Sequence, residues 1–231
     1  MNAGAEYVLY RIWAALQDRN GIHAESLLTC VGALAGYACQ VYVRQSAALP
    51  GADPGAYALR AVEATDGATY LYGDALNVPL AEGPLSIWAL VGRTVQKLGE
   101  PLPDIEDIFR HVTQTVGTST FGVPRVPAGP RPRHAAIVYL KQVWPQILPI
   151  AQRFCNKPMQ MPVLFGIAIR IRIGTGVGVA FLAVATTAGP VIGELASAPG
   201  RATFDIATAH SIAILAPSVG LTRSRVSSMA R

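Results

Sequence analysis

The polar residues whose types and spacing come nearest to a site lie in the run YLYGDALN, where Tyr70 and Tyr72 are followed by Asp74 and Asn77. A carboxylate and a carboxamide leaving a strand beside two phenols can line a pocket with Tyr72, and Trp88 is close in sequence. With His111 they would form a non-sequential enzyme site. The same residue types just after a strand also serve as turn and cap residues that bond local backbone N–H groups. That structural role is the first expectation for them.

A second group is cationic. Arg125, Arg131 and Arg133, with Lys141, could grip phosphates from a proline-rich loop. Nucleic-acid binding adds a larger charge excess and aromatic stacking platforms, and only Phe121 and Tyr139 are near this loop. A solvated loop, or one docked on the acidic first half of the chain, is expected instead. His23-Ala24-Glu25 has the spacing of a zinc-deaminase HxE, yet the PCxxC that supplies the remaining ligands is missing. His111, His134 and His210 are isolated, and no HExxH, GxSxG or GxxxxGK[ST] occurs. The run IRIGTGVGVA has the look of a strand and a Gly-rich turn. Gly174 and Gly176 match a dinucleotide fingerprint, but the third glycine position is Val179. Neither a cofactor nor a metal is expected.

The elements that must position these residues are organised around residues 26–43, SLLTCVGALAGYACQVYV, eighteen residues without a formal charge. A helix apolar on every side belongs in a core or in a membrane. Gly32 and Gly36, with Ala35 and Cys39, offer a small-residue face for close approach. Before it, residues 6–19 read as an amphipathic helix with Leu9, Ile12, Trp13 and Leu16 inward and Asn20-Gly21 as its stop. Residues 49–55 read as a loop.

Residues 57–65 and 68–72 flank Asp66-Gly67, a dipeptide suited to a two-residue type I′ turn, which predicts a β-hairpin over about 57–72. Pro84 opens a helix whose inner face carries Leu85, Trp88, Val91, Val95 and Leu98, and Gly99 ends it. Asp104 caps the next helix, with Ile105, Ile108, Phe109, Val112 and Val116 on one face. Residues 121–134, with four prolines and three arginines, form an exposed connector. Residues 135–154 have helical period, but Pro145 and Pro149 predict a kink or a split.

Net charge is +5, yet residues 1–121 sum to −5 and residues 122–231 to +10. Two such halves attract each other within one chain or between chains. Charged residues are 14% of the chain and hydrophobic ones 51%, which excludes a disordered chain. Arginine outnumbers lysine sixteen to three, the bias of a GC-rich bacterial genome. Cys30, Cys39 and Cys155 form no CxxC and read as buried apolar residues in a reducing compartment. The N-terminal residues lack a basic n-region, so the cytoplasm is the expected location. From residue 170 the texture changes to six arginines, twelve alanines and two acids in 62 residues. Within it residues 173–193 are uncharged for 21 residues, long enough to cross an inner membrane with Arg170 and Arg172 on the cytoplasmic side. A shifted reading frame of GC-rich DNA is a further explanation of that tail.

At YLYGDALNVPLAEGPLSIWALVG, FGVPRVP and MPVLFGIAI the chain resembles an uncharacterised family of small bacterial proteins, over about residues 7–169. The resemblance implies a mainly helical fold with one hairpin, and no activity, cofactor or partner. The expected fold is therefore mainly α (α+β), a helical domain over 1–169 with a β-hairpin, followed by a tail over 170–231. Three functions compete. The first is a non-catalytic binding or self-association module, a homodimer through the hairpin edge or the small-residue helix face. The second is a membrane-associated protein anchored by 173–193. The third is an enzyme with a site near Asp74, Asn77 and His111.

Overall fold

The uncharged stretch 26–43 is the middle of the longest helix, and the other elements are laid around it. The computed structural model describes residues 1–63, 69–115, 118 and 131–174. Among them the protein is mainly helical, with α1 (Asn2–Leu16), α2 (Ala24–Ala47), α3 (Asn77–Leu80), α4 (Ile87–Lys97), α5 (Ile105–Thr115), α6 (Ala136–Phe154) and α7 (Gln160–Gly174). Every residue from 26 to 40 is buried, as a helix without a polar face requires. Gly32, Ala35, Gly36 and Cys39 are inside the fold, so the small-residue face is core and not a surface for self-association.

Helices α6 and α7 cover α2 most extensively, α1 packs against all three, and α4 lies on α7. Tyr37 of α2 meets Trp144 of α6 edge to face at 4.6 Å, and Trp144 meets Phe165 of α7 at 5.9 Å. These rings lock the three helices together, each burying apolar surface that stabilises by about 2 kcal/mol. Cys30 and Cys39 are buried free thiols, and burial pushes both well above the ordinary range for cysteine.

Helix α7 is absent from the sequence expectations, and its composition explains why. It is apolar almost all round, so no helical period shows, and Pro162 and Gly166 look like breakers. Pro162 sits in the first turn, where the missing N–H costs nothing. Gly166 lets α4 approach: a Cβ there would stand 2.8 Å from Leu90 Cδ1 and 3.6 Å from Ile87 Cα. The helix runs to Gly174, with Ile173 only 1% exposed. The domain boundary expected at residue 170 therefore falls inside α7, and residues 171–174 are helix rather than the strand of a dinucleotide fold. Of the proposed membrane segment 173–193, all beyond Gly174 lies outside the described residues, as does the rest of the tail.

Three further expectations are corrected. Helix α6 is one continuous helix, so Pro145 and Pro149 do not split it in two. Both prolines are exposed and four residues apart on the solvent face, so the carbonyls they leave without an intrahelical donor face water. The strands Arg60–Glu63 (β1) and Thr69–Tyr72 (β2) pair antiparallel with Glu63 opposite Thr69. Unbroken pairing around a two-residue turn at Asp66-Gly67 would set Glu63 opposite Tyr70, so the strands pair one residue off that expected register. Residues 64–68 lie outside the described residues, and Tyr57 to Leu59 precede the strand, with the Tyr57 ring against Tyr42 at 6.4 Å.

Helix α4 begins at Ile87, not at Pro84. Ser86 is the better N-cap: its Oγ accepts from the Ala89 N–H at 3.1 Å and donates to the Gly83 carbonyl at 3.0 Å. Leu85 is consequently outside the helix and 53% exposed. The helix ends as expected at Gly99, whose φ of +77° closes a Schellman turn with Gly99 N–H on the Gln96 carbonyl and Glu100 N–H on that of Val95. Ser86→Ala should cost about 1 kcal/mol, whereas Pro84→Ala should leave stability nearly unchanged. Urea denaturation of the two variants checks this, and a larger loss for Pro84→Ala would restore the earlier helix start.

Candidate functional site

Chain leaving β2 turns sharply at Gly73 into a 3₁₀ turn, Asp74–Leu76, and then the single turn of α3. A Cβ on Gly73 would come 2.5 Å from the Ala58 carbonyl oxygen, so only glycine lets these two backbones touch. The 3₁₀ turn and α3 both rest on α2, and α3 also contacts α4 and α7. This packing separates the neighbours that the sequence brings together. Asp74 is exposed, Leu76 is 1% exposed and Asn77 is fully buried.

Asn77 is buried without the local bonds expected of a cap residue. Its backbone carbonyl accepts the N–H groups of Ala81 and Glu82, both at 2.8 Å, but its side-chain Oδ1 and Nδ2 have no partner. Gln40 Oε1 is also an unsatisfied buried atom, whereas the buried hydroxyls are bonded. Thr29 Oγ1 donates to the Glu25 carbonyl at 2.7 Å, Ser26 Oγ meets His23 Nδ1 and accepts the Arg133 N–H, Ser86 caps α4, and Ser46 bonds Tyr42. Glu82, half-buried one turn away, likewise has its Oε1 enclosed and unbonded. Trp88 is half-buried against the core from α4.

The remaining expected site residues are placed as follows. Tyr72 ends β2, and its side chain lies outside the described residues. His111 sits half-buried on α5, which has no extensive contact with α3 or the 3₁₀ turn. Asp104 caps α5 through the Glu106 N–H at 2.9 Å. Arg125 lies outside the described residues. Arg131 is exposed, while Arg133 is ion-paired with Asp18, in keeping with a loop docked on the acidic half.

Sequence reasoning passed over the network that this pair belongs to. Asp18 and Gly21 exchange backbone bonds of 3.0 and 3.1 Å, and Gly21 takes a φ of +90° to reverse the chain between α1 and α2. His23 then caps α2 through Nδ1, which accepts the Ser26 N–H at 3.3 Å and lies 2.9 Å from Ser26 Oγ. His23 Nε2 stands 3.4 Å from Glu25 Oε2, and the Arg133 N–H donates to Ser26 Oγ at 3.0 Å. Serine, imidazole and carboxylate in line have the order of a nucleophilic relay. Ser26 is 4% exposed with both its bonds used inside the fold, so the line works as a helix cap. The sign of the Asp18–Arg133 pair was readable from the opposite charges of the two halves; its place was not.

Compared with known proteins, the chain matches no family model, no curated protein and no solved structure.

The Arg133 guanidinium beside Asp18, with the Asn20 N–H, holds the Asp18 carboxyl below its ordinary value. A carboxyl lowered by folding stabilises the fold above its unfolded value, about 4. That contribution disappears as pH falls through the lower folded value. Asp18→Asn should therefore flatten the loss of stability below about pH 4. Thermal denaturation in steps of pH compares the two chains, and parallel profiles would show that the pair carries no pH-dependent stability.

Proposed function

We propose that the chain is a non-catalytic binding module whose ligand is gripped by Asn77. The observation that carries this is the fully buried carboxamide with neither oxygen nor nitrogen bonded. Leaving such groups unpaired costs about 1–3 kcal/mol each, and buried polar atoms in folded proteins are nearly always satisfied. A carboxamide presents an acceptor and a donor side by side in one plane. Its complement is a planar group with a donor next to an acceptor: a primary amide, a peptide unit or the edge of an adenine. Glu82, one turn further along the chain, has an enclosed and unbonded acceptor of its own, Oε1.

On this reading the strand pair and its connection form the expected hairpin, which delivers the chain through Gly73 into the site. The three unpaired thiols support a reducing compartment such as the cytoplasm. Helix α2 is long and apolar enough to cross a membrane, but 89% of its apolar window is buried by the rest of the fold, which supports a core helix instead.

A residue kept for a ligand and not for the fold has a distinct signature. Asn77→Leu, similar in volume and without polar atoms, should raise the stability of the free protein by about 1 kcal/mol. The same variant should lose any ligand-induced rise in melting temperature. Scanning fluorimetry with glutamine and adenine as the first probes reads both effects. If Asn77→Leu instead loses more than about 1 kcal/mol, Asn77 is a structural residue and the proposal fails.

A further inference from the structure

We infer that α1 carries a self-complementary surface through which two copies of this chain pair as an antiparallel, two-fold dimer. Helix α1 buries Gly4, Ala5, Val8 and Ile12 against the core. Its opposite face presents Ala3, Glu6, Tyr7, Tyr10, Arg11 and Ala14, all exposed. Tyr7 is 43% and Tyr10 64% exposed, a large aromatic area for a helix that has a core face elsewhere.

The order of these six residues is self-complementary. About the midpoint between Val8 and Leu9, Ala3 mirrors Ala14, Tyr7 mirrors Tyr10, and Glu6 mirrors Arg11. A two-fold axis through that midpoint, normal to the helix, sets each residue opposite its mirror on the second copy. Two-fold interfaces need this property, because residue i must suit residue j while j suits i. Four tyrosines then stack at the centre, and two Glu6–Arg11 pairs form across the interface. The alanines at both ends let the helices approach. Neither Glu6 nor Arg11 has an ion-pair partner among the described residues, so both charges are open to a second copy.

The pattern also selects direction. A parallel pairing in register would set Glu6 on Glu6 and Arg11 on Arg11, which is repulsive. Phe154 at the end of α6 extends the surface: it is 37% exposed and holds the Tyr7 ring edge-on at 6.4 Å. A Cβ on Gly4 would come 2.6 Å from that Phe154 ring, so glycine lets the ring lie down on α1. One helix pair is a small contact, and interfaces of that size give weak, concentration-dependent dimers.

The test is sedimentation velocity of the full chain over a range of concentrations. The wild type should show a reversible monomer–dimer equilibrium. Glu6→Arg replaces both cross-interface ion pairs with facing guanidinium groups and should raise the dimer dissociation constant roughly tenfold or more. Adding Arg11→Glu restores opposite charges and should return it to near the wild-type value. Tyr10→Ser should also weaken the dimer with an unchanged circular dichroism spectrum, since Tyr10 is not part of the core. A wild type that stays monomeric at the highest concentration overturns the inference, as does a dimer indifferent to Glu6→Arg. A folded double variant that fails to recover overturns it too. The result is independent of the binding site, because Asn77→Leu should dimerise like the wild type.

Discussion

A helix with no polar face cannot be a surface element, and this constraint on α2 dictates most of the architecture. Fifteen consecutive residues, 26–40, have to be removed from water on all sides at once. One amphipathic neighbour covers a single stripe, so several helices are needed, and α7 shares the problem by being nearly as apolar. The solution places α2 and α7 against each other, with α1, α4 and α6 turning their apolar stripes inward around them. Those three turn their more polar faces outward. Burial at this depth forces the ends of α2 to be satisfied locally. His23 closes its first turn, and the Ala48 N–H continues the ladder to the Arg44 and Ser46 carbonyls at its last.

The same constraint gives the buried polar residues their meaning. In a core of this kind a hydroxyl is tolerated where it can bond a carbonyl one turn back, as Thr29 does, or accept a backbone N–H, as Ser26 does from Arg133 and Ser86 from Ala89. Asn77 has neither outlet, because the turn it starts is a single turn of helix wedged among other elements. A mechanism that needs Asp74, Asn77 and His111 in one cavity meets a different difficulty. Asp74 faces solvent, Asn77 faces the core, and α5 does not pack extensively against either. Recognition by the carboxamide alone asks less of the fold than concerted chemistry by all three.

How much could be read in advance depended on whether a signal is local. The helices near α1, α4 and α5 were legible from apolar spacing and from stops such as Gly99 and caps such as Asp104, all within a few residues of the feature they set. The start of α4 was misplaced because Pro84 and Ser86 are both good start signals, and only the hydroxyl's bonds decide between them. Helix α7 was hidden, since a helix buried on every side has no period, and Pro162 and Gly166 are breakers only outside the positions they occupy. The polarity of Asn77 was visible; its burial was not, being decided by α2, α4 and α7 from elsewhere in the chain. Arg133 and Asp18 are 115 positions apart, and only the charge balance of the two halves anticipated that they would attract.

The end of α7 shows how geometry chooses between two uses of the same residues. Arg170 and Arg172, before an uncharged run, have the placement of arginines that flank a membrane span. In the structure Arg170 donates to the Asn2 side chain at 3.3 Å, and the Arg172 guanidinium lies 4.9 Å from the centre of the Trp13 ring. Burial lowers the basicity of Arg172, yet arginine stays protonated even so, and a partly desolvated cation over an indole face is a favourable contact. Both arginines therefore bind α7 to α1, and Ile173 beside them is packed into the core. The change of composition at residue 170 consequently precedes the end of the helical core by at least one turn. Because α1 is held from behind by these contacts, its outer face is a rigid surface. Rigidity matters for a weak helix-on-helix contact, where little ordering entropy can be offset by the few side chains that meet.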